Sequence, residues 1–250
     1  MRNLIIMLPT LDEEHGLDFT LNKIPTKKLH QIGWNYEVWV IDGGSQDDTI
    51  KIATSHNCVV VKQHGKGKGA AMRLGFQKFI DSSADALVML DPDGTYHPEE
   101  IPKLIAQLGN YDVIIGDRLN GNLEPDAMTK VNYFGNHILT WFATGIYGVH
   151  IADLCSGFWA FSRNAIARLK LNSMRFEIEA EMFSSCVTEE LRIKCIPIRY
   201  SARIGEAKLG SFTDGWTIFK KLLVRRLFGN PIEARTGKGN LDMEQARNQI

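Results

Sequence analysis

Cysteine is scarce in this chain and its spacing carries no pattern. Cys58, Cys155, Cys186 and Cys195 include no close pair of metal-ligand type. A disulfide framework and a thiolate metal site are set aside, and the four read as reduced core thiols of a cytosolic protein. Charge is not in excess either. Lys and Arg number 29, Asp and Glu number 29, and the formal net charge is zero, which argues against a general nucleic-acid binder. A signal-peptide pattern is absent, because the chain runs straight into an apolar strand from Leu4 to Leu8. No internal repeat is visible. Gly65, Gly67 and Gly69 match neither the P-loop nor the dinucleotide fingerprint. An uninterrupted apolar span is missing too. Val131 to Ala152 is uncharged and long, but contains Asn132, Asn136, His137, Thr140, Thr144 and His150. It reads as a buried or interfacial helix rather than a transmembrane one.

What the chain does have is length and alternation. Its 250 residues, 44% of them hydrophobic, suffice for one large α/β domain. Strands are predicted at 3–8, 36–42, 58–62, 85–90 and 112–116, and helices near 13–24, 46–55, 68–80 and 98–108. That order predicts a mostly parallel central sheet flanked by helices. The second half continues with a strand at 156–162, a helix at 177–188, a strand at 192–199, a polar loop at 200–215 and a basic helix within 214–229. The expected organisation is one domain over 1–230, with a first half to residue 120, a second half after it and a flexible tail at 231–250.

The segment VMLDPDGTYHP at 88–98 concentrates the chemistry. Val88, Met89 and Leu90 form a buried strand, and Asp91 and Asp93 follow at its carboxyl end, where open α/β sheets place ligands. Alternate residues of extended chain point the same way, so two carboxylates make a hard oxygen site suited to Mg²⁺ or Mn²⁺. Asp-Pro-Asp-Gly is also good turn chemistry, and the two readings stand side by side. Three further segments reach the same predicted edge: LPTLDEE at 8–14, VIDGGSQDDT at 40–49 and GKGKGAAMRLGF at 65–76.

In this order the segments resemble the family 2 glycosyltransferases of the GT-A fold. The likeness is strongest to the dolichyl- and polyprenyl-phosphate sugar synthases. It is carried by Pro9-Thr10 with Glu13, by Asp42 through Thr49, by Gly67-Lys68-Gly69, by Asp91-Pro92-Asp93 and by Pro98-Glu99. GDR at 116–118, SGFWAFSR at 156–163, FEIEAEMF at 176–183 and RIGEAKL at 203–209 extend it across residues 4–219. The DGTY variant and the 116–136 run look most like archaeal enzymes that charge dolichyl phosphate for N-glycosylation, which favour UDP-sugars. The resemblance implies a nucleotide-sugar site made by Pro9, Thr10, Leu11, Glu13, Asp42, Gly43, Lys68, Pro92 and Asp93. It implies Mg²⁺ or Mn²⁺ on Asp91 and Asp93, and catalytic roles for Asp91, Asp93, Arg118, Asp153, Arg203 and Lys208. Two departures matter. Gly43 stands where many relatives carry a second acid that reads the base, so base reading falls to Asp42 and Glu13. Many lipid-phosphate relatives also carry transmembrane helices after the basic segment, and this chain stops short of any.

The chemistry follows independently of the family. A nucleotide-sugar donor leaves as a diphosphate, so a metal at Asp91 and Asp93 would stabilise the leaving oxygens. Arg118 offers a phosphate fork; the competing expectation is a surface arginine paired with Asp117. Arg203 and Lys208 lie in a loop whose motion would close over phosphate; the competing expectation is solvated loop charge. A hydroxyl acceptor needs a base, for which Asp153 is the candidate, whereas a phosphate monoester arrives mostly dianionic because its second pKa is about 6. Asp153 is alternatively a turn cap. Glu177, Glu179 and Glu181 offer a site cluster, but on a helix Glu177 and Glu181 share a face that Glu179 does not, so one of the three is expected to point inward. In the basic helix, Trp216, Phe219, Leu223 and Leu227 line one stripe, flanked by Lys220, Lys221, Arg225 and Arg226. That is an interfacial pattern, and equally an ordinary helix with a wet basic face.

The expectation is therefore an inverting, metal-dependent glycosyltransferase, cytoplasmic and peripheral on the cytosolic membrane face. It would move a hexose or N-acetylhexosamine from a UDP-sugar to dolichyl or another polyprenyl phosphate, without nucleic-acid partners. Rival expectations are a GDP-mannose donor, a soluble transferase to a sugar hydroxyl, and a nucleotide-sugar-binding regulator without turnover.

Overall fold

A computed structural model describes residues 1–205 and 211–229. Seven strands form one sheet: β1 (Arg2–Thr10), β2 (Trp34–Asp42), β3 (Val59–Lys62), β4 (Ala86–Met89), β5 (Val113–Leu123), β6 (Trp159–Ser162) and β7 (Ile193–Tyr200). Their order is β3-β2-β1-β4-β6-β5-β7. β1 pairs in parallel with β2 and β4, and β2 with β3. β6 runs antiparallel between β4 and β5, and β7 is parallel to β5. The sheet is thus mostly parallel, and its first four strands end on one edge.

The helices are α1 (Glu14–Asn22), α2 (Thr26–Gln31), α3 (Thr49–Ser55), α4 (Lys68–Asp81), α5 (Ile101–Ile105), α6 (Lys130–Tyr147), α7 (Arg163–Arg168), α8 (Ile178–Thr188) and α9 (Ser211–Phe228). The short α2 and α7 have too few residues to show a helical period. β5 continues well past the expected 116. Its pairing with β7 is interrupted by an irregularity between Asp117 and Asn122, so the polar end of the strand hides its continuation, and the strand runs through residue 120.

Both faces of the sheet are covered. Ile5 and Met7 of β1 join Trp39, Phe76 and Trp159 on one face, while Leu4, Ile6 and Leu8 join Val40, Val88 and Phe158 on the other. Near-continuous apolar strands are what a doubly covered parallel sheet requires.

α6 is fixed at both ends. The Thr129 side chain accepts the Asn132 N–H at 3.2 Å, and Gly148 closes the helix at a left-handed φ of 68°. Its Thr140 and Ala143 are buried, while Val131, Phe134, Ile138 and Trp141 are exposed. No helix among the described residues is long and apolar enough to cross a membrane.

α9 corrects the expected stripe. It buries Ile218, Leu222 and Arg225, leaves Trp216 and Leu227 exposed, and half-buries Phe219 and Leu223. Phe219 packs on Phe142 at 4.3 Å. Of the expected basic flank, Lys220 and Arg226 face outward. Arg225 donates to the Lys170 carbonyl, and Lys221 reaches Asn172 and Glu181. The cause is Glu181, fully buried against α9; an isolated buried carboxylate is costly, so the helix turns two cations toward it. The expected tail at 231–250 lies outside the described residues.

Candidate active site

The four predicted segments meet at one edge because parallel strands in register deliver their ends together. Thr10 pairs with Asp42, and Asp42 with Lys62. Pro9 and Thr10 finish β1, and Leu11 begins the loop after it, partly open to solvent. The loops after β1 and β2 then lace together. Asp12 N–H donates to Ser45 Oγ, Gln46 N–H to Asp12 Oδ1, Glu13 N–H to Thr49 Oγ1, and Glu14 N–H to Asp47 Oδ2.

Asp42 is buried and accepts the N–H groups of Gly44 and Ser45 at 3.0 and 3.1 Å. Gly43 donates its own N–H to Thr10 O at 2.8 Å. The carboxylate expected to help read a base thus closes its own turn. Glu13, its expected companion, accepts from Arg203.

Asp91 and Asp93 sit past the end of β4 with backbone pressed against them from two sides. A Cβ on Gly16 would lie 2.5 Å from Pro92 O, and one on Gly157 would lie 2.2 Å from Asp91 Oδ2. Only glycine permits these approaches. Asp93 Oδ1 accepts both the N–H and the hydroxyl of Thr95, at 3.0 and 2.5 Å. This is turn chemistry and a carboxylate pair at once, so the two expectations for the segment are compatible.

Two cations hold these acids, each bridging to another acid. Lys68 Nζ lies 2.6 Å from Asp91 Oδ1 and 2.6 Å from Glu179 Oε1. Arg203 donates to Asp93 Oδ2 at 2.7 Å through Nη1 and to Glu13 through Nη2. Burial would push the Lys68 ammonium down, but Asp91 and Glu179 together hold it above its ordinary value. Burial raises Asp91 and Glu179, and Lys68 opposes the rise in both. Arg203 belongs to a strap over the Asp91–Asp93 turn: Ile204 N–H donates to Asp93 O, Ser201 N–H to Thr95 O, and Ser201 Oγ meets His97 Nε2 at 2.6 Å. Lys208 lies outside the described residues.

Arg118 and Asp153 come together, with each other. Arg118 Nε and Nη2 donate to the two Asp153 oxygens at 2.7 and 2.8 Å, and Arg118 N–H donates to Oδ2 at 3.0 Å. Arg118 is 6% exposed and Asp153 0%. The expected surface pair with Asp117 is not formed; Asp117 accepts from Asn120 instead. The candidate base is likewise corrected. A base must reach a substrate proton, whereas Asp153 is enclosed, with both oxygens on a guanidinium. The pair joins the middle of β5 to the segment that carries Gly157. Tyr96 Oη accepts the Gly157 N–H, so that segment is pinned beneath Asp91.

Glu179 is the member of the acidic cluster that sequence reasoning left undecided. Its helix position sets it apart from Glu177 and Glu181, but the chain gives no sign that Lys68, far away in sequence, would meet it. Glu177 accepts backbone N–H groups of Met174 and Arg175, and Glu181 those of Asn172 and Ser173. Burial makes the thiols poor nucleophiles. Burial pushes Cys155 up to about 12 and Cys58 and Cys195 up to about 11.

The donor set fits a divalent metal completed by substrate. Asp91 and Asp93 supply hard oxygens, and no group of three or more His, Cys, Asp or Glu residues among the described residues makes an all-protein cage. Mg²⁺ is commonly held this way, by one or two carboxylates and phosphate oxygens.

Known proteins resemble the chain in sequence and in fold. Residues 5–170 match Glycosyl transferase family 2. The chain is 35% identical over 88% of its length to the low-salt glycan biosynthesis hexosyltransferase Agl6 of Haloferax volcanii, and spans about half of that relative, 53%. It is 25% identical over 89% of its length to the UDP-N-acetylglucosamine–dolichyl-phosphate N-acetylglucosaminyltransferase of Methanococcus voltae, covering 95% of it. The fold matches glucosyl-3-phosphoglycerate synthase from Mycobacterium tuberculosis, a structure containing Mn²⁺, UDP and phosphoglyceric acid. That match has a TM-score of 0.70 at 20% identity, over 90% of this chain and 79% of the other. The architecture is that of the GT-A glycosyltransferases.

Proposed function

The chain belongs to glycosyltransferase family 2, and we propose that it transfers a hexose or N-acetylhexosamine from a UDP-sugar to dolichyl phosphate with inversion at the anomeric carbon. One observation carries the choice of acceptor. The acids gathered at the site, Asp91, Asp93, Glu13, Glu179 and Asp153, each have a cation partner. Their oxygens are already engaged by those cations and turned away from a substrate hydroxyl's proton, so the arrangement favours an acceptor that arrives already ionised. A phosphate monoester does so, with a second pKa of about 6. In this reading a phosphate oxygen attacks the anomeric carbon as the bond to the donor's β-phosphate oxygen breaks, and UDP departs with the electron pair.

Asp91 and Asp93 would hold Mg²⁺ or Mn²⁺, which when bound offsets the charge developing on the departing diphosphate. Lys68 and Arg203 stand beside these carboxylates and would add donors to the same phosphates. Lys208 keeps that role on the resemblance alone. Arg118 and Asp153 act as a brace that sets Gly157 under Asp91. In this reading residues to 120 supply most of the donor edge, Glu179 and Arg203 join it from the second half, and the rest of that half serves the acceptor.

The lipid acceptor brings the protein to a bilayer, and α6 with α9 form the docking face in this reading. Trp141 is 79% exposed and Phe134 is 70% exposed on α6, with Val131 and Ile138 in the same stripe and Trp216, Leu227 and Phe228 exposed on α9. No acid occurs between Asp126 and Asp153 or between Asp214 and Glu233, while Lys130, Lys220 and Arg226 face outward. An apolar, acid-free, basic-edged face suits anionic headgroups, at on the order of 1 kcal/mol per basic residue.

The test is acceptor choice. Labelled UDP-glucose or UDP-N-acetylglucosamine is offered with dolichyl phosphate, with dolichol and with free sugars. Label in the lipid fraction with dolichyl phosphate only is expected. Transfer to dolichol or to sugars, but not to the phosphate, overturns the proposal.

A further inference from the structure

We propose that Glu179 is a positioning residue for metal entry, acting through Lys68. It shares Lys68 with Asp91, and it would retain Lys68 when a divalent ion takes Asp91. The inference rests on the assignment of Asp91 and Asp93 as metal ligands and goes beyond it.

The geometry is that of a shared cation. Lys68 Nζ stands at 2.6 Å from a carboxylate oxygen of each acid. Glu179 is 6% exposed and comes from α8, on the other half of the chain from Asp91. A divalent ion cannot use Asp91 fully while an ammonium occupies both of its oxygens. Lys68 must therefore leave Asp91, and a buried ammonium without a partner is costly. Glu179 removes that cost, because the ammonium already touches it and needs only a small rotation. Arg203 has the same design, with one nitrogen on Asp93 and another on Glu13. Four carboxylates and two side-chain cations leave two negative charges in the cluster, the charge that one divalent ion neutralises. Lys68, held on Glu179 and released from Asp91, would then be available as a donor to a diphosphate.

Simple attraction between distant charges predicts changes in the same direction for single variants, so the test is a double-mutant cycle. Mn²⁺ alone, without nucleotide, is titrated into the whole protein and followed by electron paramagnetic resonance of the free ion. Glu179→Gln leaves Lys68 with Asp91 as its acid partner and should weaken Mn²⁺ binding about tenfold. Lys68→Met removes the competing ammonium and should tighten it. In the Lys68→Met background, Glu179→Gln should change Mn²⁺ affinity by less than about twofold, since its partner is gone. Additive effects of the two changes would reduce Glu179 to a background charge and overturn the inference. A purely structural role would lower the melting temperature without this dependence on Lys68. Should the variants not fold, the wild-type protein still decides. In crystals containing Mn²⁺, Lys68 should be on Glu179 and off Asp91, and an ammonium still on Asp91 beside bound Mn²⁺ contradicts the proposal. Failure of the wild-type protein to bind Mn²⁺ would remove the metal assignment itself, a distinct result.

Discussion

The strand-end edge and the α6–α9 face solve opposite problems in one fold. At the edge, charged side chains are brought inward and paired, so that Asp91, Asp93, Glu13 and Glu179 share Lys68 and Arg203. On the α6–α9 face, aromatic side chains are turned outward, and acids are absent over long stretches of sequence. Buried charge is tolerated where chemistry needs it, and exposed apolar surface where a partner covers it. The buried Arg118–Asp153 pair joins β5 to the segment that carries Gly157, and in the proposed reading it braces the edge.

Changes at the edge should have the largest effect. Asp91→Asn or Asp93→Asn should lower kcat by about 100-fold or more, the scale of losing charge stabilisation at a departing group. Chelation by EDTA should do the same while circular dichroism stays unchanged. Full turnover in excess EDTA would break the distinction between an edge built for a metal and one built only for ion pairs.

The brace comes next. Arg118→Ala or Asp153→Ala strands a buried charge and should cost about 3–5 kcal/mol of stability, read by thermal or urea melts. Arg118→Met combined with Asp153→Leu should recover much of that loss, because a well-packed apolar pair can replace a buried ion pair. Single variants that melt like the wild type would mean that the pair is not structural.

The outer face should respond differently. Trp141→Ser or Phe134→Ser should each weaken binding to anionic liposomes by about tenfold, given the apolar area an aromatic side chain buries. Turnover on a short, water-soluble acceptor should be unchanged. If these variants abolish self-association in sedimentation and leave liposome binding intact, the face joins two copies of the chain instead.

The smallest effect is a pH dependence. Burial, assisted by Arg199, holds His97 below its ordinary value of 6.5. The unfolded chain therefore binds the proton more readily, so this contribution is present above pH 6.5 and fades as the pH falls below it. Between pH 7.5 and 5.5, the wild type should lose more melting temperature than His97→Asn. Equal losses would remove His97 from the acid response of the strap that carries Arg203.

Much of the fold was legible because a parallel sheet writes itself as apolar runs ending in polar turns. β1 through β4 and the helices α1, α3 and α4 follow that pattern closely, the short α2 does not, and the meeting of Thr10, Asp42 and Asp91 on one edge follows from it. The ion pairs were not legible. Lys68 and Glu179 are brought together by tertiary packing, and no local period connects them. Arg118 looked like a phosphate fork because its sequence neighbours show a strand end, while its partner lies across a helix and a loop. α9 misled for a related reason. An isolated helical projection ranks faces by hydrophobicity, and the buried Glu181 turned Lys221 and Arg225 inward against that ranking.

The central claim is that this site glycosylates an acceptor that arrives ionised, with no acid of its own serving as base. The pH profile of kcat/KM for the acceptor tests it most directly, measured with a dolichyl-type phosphate and with a phosphonate analogue of higher second pKa. The account predicts an acid limb that follows the acceptor, near pH about 6 for the phosphate, and moves upward with the phosphonate. An acid limb at the same pH for both acceptors would report an ionisation of the protein instead, and would contradict the account.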